Sequence, residues 1–400
     1  MISMLKISVV ALILGIVACT TPEKGVQNIP FKTTIDSSLP FLFANNNTLH
    51  LSWVEIVNDT TSEMRTSTLE NNVWQESDLI NRGSHWFLNW ADFPMIVSNK
   101  GNLMAHNLKK SSDKKFAYDI ELNLKPGNAS EWLQGQPLHN DSTPTEHGFV
   151  SAQPYGDHSF YITWLDGRHM VDTGSSSEMN IRAAEVDFNG RVIRDDIIDD
   201  KTCSCCQTSI AITQSGPIVV YRDKADDDIR DIYITRLVDD QWTTPQAIHP
   251  DRWEIKGCPV NGPKADAIGD DLAVAWYTAV DNQPKVKLVF SNDGGQHFDP
   301  PIIISEVMPL GRLDCIQLED KSALVSWMEA DEEEVYLKAI KIYQSGEKSS
   351  PITISQMNGS RQSGFPQMER LGKIVYFAWT DIKNELKSIQ TAMVNIEEFK

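Results

Sequence analysis

Long apolar runs are almost absent from this chain. The one exception, Ile7 to Val17, is shorter than the ~20 residues a permanent membrane span needs, so no transmembrane helix is expected. Basic charge is scarce as well: 36 Lys and Arg stand against 55 Asp and Glu, a formal net charge of −19. That balance excludes nucleic acid and anionic lipid surfaces as main partners, because both are polyanions that recruit basic faces. Linker-like composition is missing between Ile29 and Glu397, so nothing divides that stretch into domains. Cysteine is sparse and uneven. Beyond Cys19 there are Cys203, Cys205, Cys206, Cys258 and Cys315, an odd number that cannot all pair with one another.

At the N-terminus, Lys6 precedes the apolar run, and Ala18-Cys19 follows it, as in an export signal that ends in small residues. Ile16-Val17-Ala18-Cys19 resembles the lipobox of bacterial lipoproteins. The resemblance implies a signal peptide over residues 1–18 and a lipid on Cys19. Residues 19–30 then form a polar tether and residues 31–400 the folded body. The expected location is exported and lipid-anchored to the bacterial cell membrane, the outer membrane if the cell is Gram-negative. In that oxidising setting disulfides are the default for paired thiols.

What the chain does have is a repeat. Seven apolar segments each end in an alternating strand tipped by Trp, Tyr or His. They are Leu39 to Trp53, Phe93 to His106, His147 to Trp164, Cys206 to Tyr221, Asn261 to Trp276, Gly311 to Trp327 and Gly364 to Trp379. The tips recur roughly every 50–60 residues, which predicts an all-β chain folded as a β-propeller of seven four-stranded blades. Six blades, with one unit spliced into a neighbour as a closing strand, is the alternative. Blades cannot bury their faces alone, so the ring counts as one domain.

A propeller fixes which residues meet. Loops leading into the innermost strands and loops leaving the second strands open on one side, around the channel, and that mouth is the expected functional face. It gathers Glu146, His147, Cys203, Cys205, Cys206, Cys258, Asn261 and Arg312 from the first set. Asp166, Arg168, Arg222, Asp223 and Arg230 come from the second, with Tyr221 at a strand tip. Arginine suits a carboxylate or phosphate because its planar fork donates two parallel hydrogen bonds. Each adjacent Asp either holds its Arg or acts as a general acid. Arg230 with Asp231 reads as a pair between blades, Arg168 and Arg222 as facing a ligand. Disulfides, such as Cys203 with Cys258, are the first reading of the cysteines, and a thiolate site for copper or zinc is the second. His106 and Cys315 read as core.

Ser291-Asn292-Asp293-Gly294-Gly295-Gln296-His297-Phe298 resembles the Asp-box turn, with Ser291, Asp293, Gly295 and Phe298 in place. With the blade repeat, it makes the chain similar to the sialidase-like (BNR-repeat) propeller superfamily over residues 30–400. The resemblance implies an arginine triad for a sugar carboxylate, from Arg222 and Arg312 with Arg168 or Arg230. It also implies a catalytic Tyr and acids, for which Tyr221, Glu146, Asp166 and Asp223 are the candidates; Asn261 and His147 complete the ligand-binding set. Three departures stand out: seven units in place of six, no Arg before Ile29-Pro30, and the cysteine cluster. The expected function is a monomeric exported propeller that binds, and in the enzymatic version hydrolyses, an anionic glycan or related small ligand. A metal- or redox-dependent protein built on the cysteines and a non-catalytic scaffold lipoprotein are the alternatives.

Overall fold

The computed structural model describes residues 25–33, 36–171 and 178–400. The expected export signal, Cys19 and the first half of the expected tether therefore lie outside the described residues. Seven antiparallel sheets of four or five strands follow one another along the chain, and among the described residues there is no α-helix. The ring has seven blades, and the six-bladed alternative falls away. Blade seven is built from Gln367–Leu371, Ile374–Lys383 and Leu386–Asn395, and its outermost strand is Gln27–Ile29, paired with Gln27 opposite Met393. Part of the expected tether is thus a strand, and the folded body includes Val26 and Gln27–Ile29, ahead of the expected boundary at residue 31. Joining the two ends of the chain in one blade leaves no seam in the ring.

The second strand of each blade lies between neighbouring blades, so both its faces are covered and it reads as a continuous buried run. Ser159–Asp166 is buried at every position. The tip tryptophans solve a local problem, since a buried indole N–H needs an acceptor. Trp53, Trp164 and Trp327 donate to Glu55, Asp166 and Glu329, each two residues further on and therefore on the same strand face. His106 takes the tip position of blade two; both its ring nitrogens are buried without partners, and burial pushes its pKa down to about 3. It packs as a neutral aromatic.

Neighbouring blades are clasped at the channel by a repeated device. A side-chain oxygen near the start of one blade accepts a backbone N–H from the next blade's innermost strand. Asp92 takes Phe149, Ser151 takes Ile210, Ser209 takes Ala265, Asp266 takes Gln317, Asp314 takes Met368 and Glu369 takes Ala44, at 2.7–3.2 Å. Blades one and two are joined differently, by Asn45 donating to the Ser98 carbonyl. On the turn Ser291–Phe298, Asp293 Oδ1 accepts the Gln296 and His297 N–H groups while Gly294 and Gly295 take positive φ.

Candidate functional site

The segment leading into blade two crosses the channel mouth. Gln207 of blade four donates to the Ala91 carbonyl at 2.7 Å. Arg312 of blade six and Arg361, before blade seven, lie over the Trp90 ring at 4.9 and 5.8 Å, and Phe365 stacks on it at 5.7 Å. Loops distant in sequence are thereby held against one another.

Beneath this crossing lies a carboxyl–tyrosine group. The Tyr118 hydroxyl, at the start of blade two's third strand, is 3.0 Å from Asp92 Oδ2 and 2.7 Å from Glu146 Oε1. Phe87 stacks on the Tyr118 ring at 3.9 Å and fixes its plane. Position 148 must be glycine, because a Cβ there would stand 2.1 Å from Asp92 and 2.8 Å from Tyr118. Burial pushes Asp92 up to about 8, and burial again pushes Glu146 up to about 7. Asp92 and Tyr118 are buried; Glu146 is half-buried.

Next to Glu146, His147 is buried with Nδ1 3.2 Å from the Tyr118 carbonyl oxygen and Nε2 without a hydrogen-bond partner. His139 stacks on it at 4.0 Å. Against the burial that pushes it down, Asp119, Asp141 and Asp166 raise His147 to about 9. Asp166 is engaged throughout: Trp164 donates to it, and Arg168 binds it through Nε and Nη2, both at 2.7 Å. Burial favours its acid form, but the Arg168 contact wins and holds the carboxyl below its usual range. Asp166 is therefore a fixed anion, which does not fit the general-acid role.

The expected arginine triad is not assembled. Arg222 is buried, and its guanidinium donates to the carbonyls of Asn261, Arg230 and Tyr277 while stacking on Trp253. Arg312 donates to Ser360 O, Ser363 Oγ and Gly364 O, and burial lowers it to about 10. Arg230 donates to Cys203 Sγ at 3.1 Å. Asn261 ties blade five to blade six, accepting from Arg312 N and donating to Leu310 O. Tyr221 is buried with its hydroxyl 2.5 Å from Asp199. Arg222, Arg312 and Asn261 join loops, and the sequence reading that turned them toward a ligand is corrected by backbone partners no local pattern reveals. Tyr221 is held by a carboxylate, and the expected Arg230–Asp231 pair is replaced by Arg230 on sulfur and Asp231 on the Arg252 and Trp253 N–H groups. Asp223 stays available: it is half-buried, and burial raises it to about 7.

The cysteines do converge. Cys203 Sγ is 3.7 Å from both Cys205 Sγ and Cys206 Sγ, and the exposed Cys258 lies nearby. All five cysteines among the described residues are free thiols, in place of the disulfides expected first. Cys315 is buried in the core between blades five and six. Tyr118, His139 and Asp141 were not singled out from the sequence; a Tyr opening a third strand carries no local signal.

No protein-family model matches the sequence, and no curated protein does. Among solved structures, an ulvan lyase bound to a saccharide of glucuronic acid and sulfated rhamnose superposes with TM-score 0.56 at 11% identity. The match covers 90% of this chain and 95% of that one. The endosialidase of phage phi92 matches with TM-score 0.52 at 10% identity, over 93% of this chain and 69% of that one. A Dyadobacter fermentans protein of unknown function matches with TM-score 0.50 at 11% identity, over 93% and 98%. The class is a seven-bladed β-propeller, similar in fold to a sialidase and to a polysaccharide lyase.

Proposed function

We propose that the chain is an exported, lipid-anchored propeller that binds a glycan at its channel mouth and presents Glu146 as a proton donor to a glycosidic oxygen. The observation that carries this reading is the Tyr118 hydroxyl held between Asp92 and Glu146. One phenolic proton cannot serve two carboxylates, so one carboxyl of the pair keeps its own proton near neutrality. A neutral carboxyl at neutral pH is what protonation of a leaving sugar oxygen requires. Glu146, the half-buried member, meets the ligand, and the buried Asp92 and Tyr118 position it. Arg361 is exposed beside Trp90 and suits an acidic sugar. The fold shared with an endosialidase and with an ulvan lyase bound to an acidic saccharide supports a glycan as ligand. The lipobox-like Ile16 to Cys19 supports the anchor, and Cys19→Ala is expected to release the protein from membranes.

Screening against a panel of acidic and neutral glycans, followed by turnover of those that bind, tests the reading. Glu146→Gln is expected to keep binding and to lose turnover by roughly 10²–10⁴-fold. Wild-type turnover is expected to fall as pH rises past about 7, where Glu146 loses its proton. A protein that binds no glycan, or a Glu146→Gln variant with unchanged turnover, would overturn it.

A further inference from the structure

The mouth holds a second centre with a different chemistry, independent of Glu146. We propose that Cys203, Cys205 and Cys206 bind a single Cu(I) ion in a three-thiolate site.

The first argument is distance. The three Sγ atoms lie within 4.8 Å of one another, with Cys203 3.7 Å from each of the others. Sulfurs that share a metal at ~2.3 Å stand ~3.8–4.0 Å apart, so the trio already has nearly the spacing a metal imposes. A disulfide would bring two of them to ~2 Å and leave the third unpaired.

Charge is the second argument. Arg222 and Arg230 are 2% and 8% exposed. Among the described residues neither forms an ion pair with a carboxylate: Arg222 donates to carbonyl oxygens, and Arg230 donates to Cys203 Sγ with its Nε unpartnered. A buried guanidinium without an anion is strongly unfavourable. Asp231 lies within reach of Arg222, but its oxygens accept the Arg252 and Trp253 N–H groups, and the group in direct contact with Arg230 is the Cys203 sulfur, which is anionic once it ligates a metal. Three thiolates against two guanidiniums leave one negative charge, which one monovalent cation at the centre balances. Soft sulfur donors in a low-coordinate set select Cu(I) over harder ions. On binding, each thiol that ligates gives its proton to solvent, and no electron is transferred.

The loop geometry preorganises the set. Cys203 N–H donates to the Arg222 carbonyl at 3.1 Å, and Thr202 is bridged to Asp223, so the strand end of blade four fixes where the first sulfur points. Cys205 is half-buried and Cys258, near it, is exposed, which places sulfur from rim to centre along the way an arriving ion would take. Zn(II) would instead recruit Cys258 as a fourth ligand, because four thiolates and two guanidiniums balance a divalent ion.

The mature chain, reduced under anaerobic conditions, is titrated with Cu(I) against a chromogenic Cu(I) chelator, and X-ray absorption at the copper edge counts the sulfurs. The expected result is one equivalent of Cu(I) held by three sulfurs. Cys206→Ser, and Cys205→Ser as the half-buried substitution least able to disturb folding, are each expected to weaken binding at least 100-fold. Cys258→Ser, at an exposed position, is expected to change affinity only a few-fold. Binding that never outcompetes the chelator, or that persists in Cys205→Ser and Cys206→Ser, overturns the proposal. So does a site that takes Zn(II) alone and loses it in Cys258→Ser. No saccharide enters the titration, so its outcome is separate from that of the Glu146 reading.

Discussion

Blades five, six and seven are joined at the channel by carboxylates, whereas blades three and four are joined to their successors by serines. In the first group both oxygens of the acid face backbone: Asp314 accepts from Cys315 and Met368, and Glu369 accepts from Arg370 and Ala44. Asp92 makes the same joint between blades two and three, but its second oxygen meets the Tyr118 hydroxyl, and through it Glu146. A joint between blades is thereby extended into a proton-holding group. The difference teaches that an acid in the inner ring says little about chemistry until the partner of its second oxygen is known.

The arginines offer the strongest test of this division, because both sides of the ring bury one. Arg222→Lys is expected to lower stability by roughly 2–4 kcal/mol, since a lysine cannot reproduce a fork bonded to three carbonyls. An unchanged melting temperature, read by calorimetry, would show that Arg222 faces a ligand after all. Next in size, Asp314→Ala is expected to cost about 1–3 kcal/mol by leaving the buried Met368 N–H without its acceptor. Ser151→Ala, losing a neutral acceptor at 3.1 Å, is expected to cost about 1 kcal/mol. Equal losses in the two variants would erase the distinction between carboxylate and serine joints.

The smallest effect expected is on pH dependence. Asp92, Asp266 and Glu369 are raised by burial to about 8, about 6 and about 8. The folded chain thus keeps protons that the unfolded chain releases near pH 4. Stability from these groups is greater at the acid side of the window and declines as pH rises from about 5 to 8. Glu369→Gln is expected to flatten that decline in melting temperature, and a melting temperature that climbs steadily through the same range would contradict the assignment.

Much of the ring was legible in the sequence because blades are local: a turn, an alternating strand and a tip aromatic recur on one period, and Trp53, Trp164 and Trp327 each find an acid two residues away. The convergence of Cys203, Cys205, Cys206 and Cys258 followed from the same periodicity, since adjacent blades place their leading loops side by side. The roles of Arg222, Arg312, Asn261 and Tyr221 did not follow. Their partners lie 8 to 55 residues away, most of them in other blades, and a guanidinium bonded to carbonyls has the same local sequence as one open to a ligand.

The sequence by itself determined the seven-fold repeat and the all-β character. These depend on hydrophobic periodicity and turn residues, which act over short stretches of chain. Only the tertiary structure decided that Gln27–Ile29 closes the last blade and that Tyr118 bridges Asp92 and Glu146. It also decided that two arginines are buried beside three thiols. Each of these rests on a buried polar group finding its partner across a blade boundary, and burial is a property that no residue has until the ring is closed.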